Sequence, residues 1–162
     1  MRNTVSKKII SMGILVLVMV FASMVYSHCQ IPCGIYGDQA RFDMIAENIT
    51  TIEKSMQQIT ELSHKNKPNF NQIVRWVQNK EKHADELSHI VTYYFMAQRI
   101  KPVDKAKGKA HGEYVKKLTL LHEMLIYSMK AKQTTDLSNV EKLRTLLAEF
   151  RTAYFQAGTH KH

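Results

Sequence analysis

Four stretches of this chain place apolar residues three and four positions apart, and that spacing restricts the fold more than any other feature. Phe42, Ile45, Ile49, Ile52, Met56, Ile59 and Leu62 form the first series, between Gln39 and about Lys65. At 3.6 residues per turn they line one side of a helix, and that side has to be covered. Asn66-Lys67-Pro68-Asn69 breaks the pattern, and a second series of Phe70, Ile73, Val77, Ala84, Leu87, Val91 and Tyr94 runs up to Lys101-Pro102. Tyr114, Leu118, Leu121, Leu125 and Met129 mark a third helix. Ser138-x-x-Glu141 reads as a capping box that opens a fourth, carrying Leu143, Leu146, Leu147, Phe150 and Tyr154. No stretch alternates with the period of a strand. The expectation is an all-α fold, an antiparallel four-helix bundle over residues 38–156. A chain of 162 residues with 44% apolar content is one domain's worth and buries one core. There is no internal repeat, low-complexity segment or second domain.

Residues 1–27 are a different material. Arg2, Lys7 and Lys8 precede an uncharged apolar run from Ile9 to Val25, and Val25-Tyr26-Ser27 ends on a small residue. That order is a secretory signal peptide, with cleavage expected after Ser27. A retained membrane anchor would want about 20 apolar residues, slightly more than are present. A lipoprotein would need a small residue just before Cys29, where His28 stands. The mature chain, residues 28–162, would then be exported, periplasmic or secreted, with no membrane attachment and His28 as its free N-terminus.

The chain is basic, 23 Lys and Arg against 14 Asp and Glu, for a formal charge of +9. Cleavage removes Arg2, Lys7 and Lys8 and leaves +6. An excess of this kind favours an anionic partner, large or small. Nucleic acid is not indicated: the densest basic stretch, KPVDKAKGKAHG at 101–112, has no aromatic residue to stack on bases, and no recognition motif occurs. It reads as a solvated loop.

Bundles often hold metals in their cores, and Glu-Leu-Ser-His occurs twice, at 61–64 and 86–89. A Glu-x-x-His on each of two helices is half of a di-iron carboxylate site. In an antiparallel pair turning near Lys67, however, the two motifs stand roughly 20 Å apart along the axis, too far to share a metal pair. Glu61, His64, Glu86 and His89 therefore read as helix surface, and His160 and His162 as a solvated tail.

The nonapeptide His28-Cys29-Gln30-Ile31-Pro32-Cys33-Gly34-Ile35-Tyr36 remains. Two cysteines in an exported chain ordinarily read as a disulfide. A second reading follows from their order behind a new N-terminus. The α-amine of His28 and the deprotonated amide nitrogen of Cys29 close one five-membered ring on a metal. That nitrogen and the Cys29 sulfur close another, and Cys33 returns over the turn allowed by Pro32 and Gly34 to fill the fourth corner. Two nitrogens and two thiolates in a plane suit a d⁸ ion such as Ni(II), whereas zinc prefers a tetrahedron. The His28 imidazole is left for an axial approach.

The pattern His28-Cys29-x-x-Pro32-Cys33-Gly34-x-Tyr36 resembles the nickel hook of nickel-containing superoxide dismutases, and the likeness continues through Gln39-Ala40-Arg41 and most of the mature chain. The resemblance implies an N-terminal hook at 28–36 on a four-helix bundle, a homohexamer with each hook at a subunit contact, and one nickel ion per subunit. The activity implied is conversion of two superoxide ions to dioxygen and hydrogen peroxide as nickel alternates between Ni(II) and Ni(III). His28, Cys29 and Cys33 would be the ligands, and Tyr36 the residue that shields the open face. Anionic sulfur and amide donors would bring the nickel couple into range for superoxide, and an axial imidazole would favour the oxidised ion. The carboxylate that orients that imidazole falls on Asp43, one methylene shorter than the family's glutamate. The arginine that supports the carboxylate falls on His83, and the usual hook aspartate on Gln30. Tyr93 and Tyr94 read as core or interface residues rather than site residues. Two other readings stay open: an exported metal-binding or nickel-delivery bundle without turnover, and a disulfide-stapled interaction bundle without metal.

Overall fold

The structure, a computed structural model, describes residues 37–156. Four helices fill that span: α1 (Asp38–Ser63), α2 (Phe70–His89), α3 (Lys109–Gln133) and α4 (Ser138–Gln156). A π-helical stretch, Ile90–Arg99, continues α2, and a single 3₁₀ turn, Lys105–Lys107, precedes α3. Consecutive helices pack antiparallel. His83 on α2 meets Asn48 on α1 while Asn79 meets Ser55, so one runs up as the other runs down. Ser88 meets Ser128 between α2 and α3. Arg144 reaches Glu53 and Arg151 reaches Asp43, closing α4 onto α1. The result is the antiparallel four-helix bundle that the spacing implies, and there is no strand among the described residues.

The core follows the first stripe closely. Phe42, Ile45, Ile49, Ile52 and Met56 are fully buried, and Ile59 and Leu62 lie toward the open end of the bundle, half-buried. Around Phe42 the rings of Phe95, Phe150, Tyr154 and Phe155 gather at centroid distances of 4.9 to 5.6 Å, an aromatic layer contributed by α1, the π-helix and α4.

Two expected stripes are corrected. On α2, Phe70 is 71% exposed and Val77 is also exposed, so the buried part of that stripe begins only at Ala84 and Leu87. On α3 the buried face is Leu120, Leu121, Met124, Ser128 and Ala131, and Met129 is exposed. At 100° per residue this face is rotated roughly a quarter turn from the expected one. The bulky residues misled because the packed face uses small ones: Ser128 donates to the carbonyl of Ala84 at 2.9 Å and lets α2 approach closely.

The ends have identifiable causes. Asn69 caps α2 by accepting from the Gln72 amide at 3.2 Å. At α4 the expected capping box does not form. Asp136 accepts from both the amide (2.9 Å) and the hydroxyl (2.8 Å) of Ser138, and those bonds hold its carboxyl below the usual carboxylate range. An aspartate two residues earlier offers a better acceptor than a serine hydroxyl, and the serine becomes its donor. Gly108, between the 3₁₀ turn and α3, has φ of 45°, a backbone conformation that favours glycine.

Candidate metal centre

His28, Cys29, Cys33 and Tyr36, together with the signal segment, lie outside the described residues. Among the described residues, no three His, Cys, Asp or Glu side chains stand close enough to hold a metal. Glu61 pairs with Lys65 at 3.4 Å and Glu86 with Lys82 at 3.7 Å, as helix-surface ion pairs.

The described residues begin at Gly37, and the first two turns of α1 carry two carboxylates of opposite character. Asp43 is exposed. It accepts from Gln39 Nε2 at 2.6 Å, and Arg151 Nη1 lies 3.7 Å from it, while Arg151 Nη2 donates to Gln39 Oε1 at 2.7 Å. The cation beside Asp43 is thus Arg151 of α4. His83 directs Nδ1 to Asn48 Oδ1 at 2.7 Å, with Glu86 at 3.4 Å. Asp43 and His83 have different partners.

Asp38 is the other carboxylate, nearly buried at 11% side-chain exposure. Tyr94 donates to its Oδ1 at 2.5 Å, Tyr154 donates to its Oδ2 at 2.9 Å, and Arg99 Nε lies 2.9 Å from Oδ1. Arg99 Nη2 also donates to the Tyr94 hydroxyl at 2.9 Å, and its guanidinium covers the Tyr94 ring. Burial, the Asp38 hydrogen bond and the Asp38 charge push both tyrosines above their usual pKa. Burial disfavours the Arg99 charge, but Tyr94 and Asp38 outweigh it and raise its pKa further. Tyr94 is buried, whereas Tyr93 is exposed and stacks on His89. Sequence reasoning missed Asp38 and Arg99, since nothing in the chain links positions so far apart.

The basic loop has a shape of its own. His111 Nδ1 bonds the Val103 carbonyl at 2.8 Å, and Asp104 caps the 3₁₀ turn through the Ala106 amide at 2.8 Å. The loop and the start of α3 wall an open depression of about 910 Å³ lined by Arg99, Lys101, Lys107, Lys109 and Lys117, with Glu113 its single acid.

The described residues thus form an all-helical bundle with no metal-binding cluster among them. Residues 23–158 match the family model of nickel-containing superoxide dismutase, and the chain belongs to that family. No curated protein and no solved structure matches it. It is a nickel-dependent superoxide dismutase, an oxidoreductase acting on superoxide.

Proposed function

We propose that residues 28–36 form the nickel hook, with the His28 amine and imidazole, the Cys29 amide nitrogen and thiolate, and the Cys33 thiolate as donors. The observation that carries this reading is the order His28-Cys29-x-x-Pro32-Cys33 within the family match. The donor set fits the ion: two anionic sulfurs and an ionised amide are strong donors that would suit nickel and favour its higher oxidation state. When bound, nickel supplies the one-electron exchange that takes superoxide to dioxygen in one half of the cycle and to hydrogen peroxide in the other. Tyr36 shields the open face, and Asp43, held by Gln39 and Arg151, orients the His28 imidazole. Signal cleavage after Ser27 frees the amine, the protein works outside the cytoplasm, and it assembles as a homohexamer.

The cut itself provides the test. One alanine left before His28 converts the amine to an amide and moves the imidazole, yet leaves both sulfurs in place. Residues 28–162 are released from a fusion with either His28 or Ala-His28 first, each terminus is confirmed by mass, and both proteins are loaded with nickel. The extended protein is expected to lose superoxide consumption nearly as completely as a cysteine variant. Equal activity would sink the hook and return Cys29 and Cys33 to a disulfide.

A further inference from the structure

Asp38 follows Cys33 by five positions and is the first residue of α1. It is therefore the first helical residue after the proposed hook segment. The way it is held exceeds what a helix start requires. Gly37 gives α1 no side-chain cap, and a carboxylate in the first turn complements the helix dipole while fully solvated. Asp38 is instead drawn inward and gripped by three side chains from two other elements, Tyr94 and Arg99 of the π-helix and Tyr154 of α4.

The π-helix accounts for part of the grip. Such stretches are rare and collect at functional sites. Here the wider turn pairs positions five apart: the Ile100 amide bonds the Phe95 carbonyl at 2.9 Å, and Arg99 lies over Tyr94, five residues back, at 4.9 Å from its ring centroid. An α-helical turn would bring positions three and four apart into register instead. The irregular helix thus puts a hydroxyl and a guanidinium together on one carboxylate. The hydroxyls keep their protons, because both tyrosine pKa values are raised, so they serve Asp38 as constant donors rather than as proton carriers.

We infer that Asp38 is a positioning residue for the dismutase reaction, anchoring the root of the nickel hook through Tyr94, Tyr154 and Arg99. The inference rests on the hook reading and adds a residue that touches neither metal nor superoxide. A metal held by a short terminal segment keeps its geometry only if the root of the segment is fixed, and one partner at the surface would leave it free to swing. Two hydrogen bonds from tyrosine hydroxyls and an ion pair with Arg99, contributed by two elements, fix both position and direction.

The test uses mature protein with His28 first and compares wild type with Asp38→Asn, Asp38→Glu and Glu53→Gln. The last breaks the Arg144 pair elsewhere between α1 and α4 and serves as a control for lost stability alone. Hydrogen exchange of residues 29–36 is followed on metal-free protein, and nickel retention against a chelator and the sulfur-to-nickel absorption bands on loaded protein. In Asp38→Asn, faster exchange in 29–36, roughly 10-fold weaker nickel retention and shifted bands are expected with the helical circular dichroism intact. Asp38→Glu should recover part of each, and Glu53→Gln should leave all three at wild-type values. If Asp38→Asn fails to fold, Tyr154→Phe, which removes one donor, should show the same changes in smaller degree. The inference is overturned if Asp38→Asn matches wild type in exchange and bands, or if Glu53→Gln reproduces its effects. Wild-type protein that binds no nickel would sink the hook reading, and the exchange measurement would still decide whether Asp38 holds the segment.

Discussion

Tyr154 donates to Asp38 from a buried position, and its pKa is raised first by that burial and then by the carboxylate it serves. Folding therefore retains a proton that the unfolded chain releases above about pH 10. The stabilising contribution is complete below that pH and is lost as pH rises beyond it. Lys80 has the opposite sign. Burial lowers its pKa from 10.5, with Glu81 partly opposing, so the unfolded chain holds that proton longer and stability grows as pH rises through the same region. Lys80 is present in wild type and in Tyr154→Phe alike, so the comparison isolates the tyrosine. Melting temperatures followed by circular dichroism from pH 8 to 11 should fall more steeply in wild type than in Tyr154→Phe. Parallel slopes would mean that Tyr154 gains no proton affinity on folding. The residues of this cluster were illegible in the sequence for a plain reason: Asp38 is 56 positions from Tyr94 and 116 from Tyr154. The proposed hook donors, by contrast, fall within six consecutive residues, and the proposed chelation chemistry reads off their order.

Among the elements, α1 was legible almost residue by residue, because an unbroken run of branched and aromatic side chains occupies its buried face. The face of α3 was not, since Ser128 and Ala131 carry no hydrophobic signal and pack by being small. The π-helix left no mark either, as ten residues hold too few turns for apolar spacing to separate one helical pitch from another. Its role is visible only in packing, where Phe95 and Phe42 stack at 4.9 Å with Phe150 5.0 Å from Phe95. Phe42 is the shared member of that layer and follows Arg41 in the first turns of α1. Phe42→Ala removes a fully buried ring from contact with the π-helix and α4, and the cavity should cost about 3–5 kcal/mol of unfolding free energy. Urea titration followed by circular dichroism measures it. A loss below about 1 kcal/mol would indicate that Phe95, Phe150 and Tyr154 close the gap without Phe42.

For the whole molecule, the sequence specified the amount of charge and the structure its arrangement. Residues 28–162 carry an excess of +6, concentrated where the basic loop meets the start of α3, and Arg99 both lines that depression and holds Asp38. Lys101, Lys107, Lys109 and Lys117 have no carboxylate within 4 Å among the described residues, so their field is not cancelled locally. A small anion diffusing toward the molecule experiences that field over about one Debye length, about 10 Å at 0.1 M salt and 3 Å at 1 M. Superoxide consumption should therefore be fastest at low ionic strength and fall as salt is added. Replacing Lys107 and Lys109 together by glutamate lowers the charge of residues 28–162 from +6 to +2 without touching the core, because both side chains are exposed. Pulse radiolysis at a series of salt concentrations, on protein of matched nickel content, should show a smaller rate constant for the double variant at low salt and a shallower decline. The two curves should converge near 1 M, where neither field reaches the approaching ion. Curves that stay parallel throughout would show that this basic surface does not gather the substrate and that the excess charge acts elsewhere on the molecule.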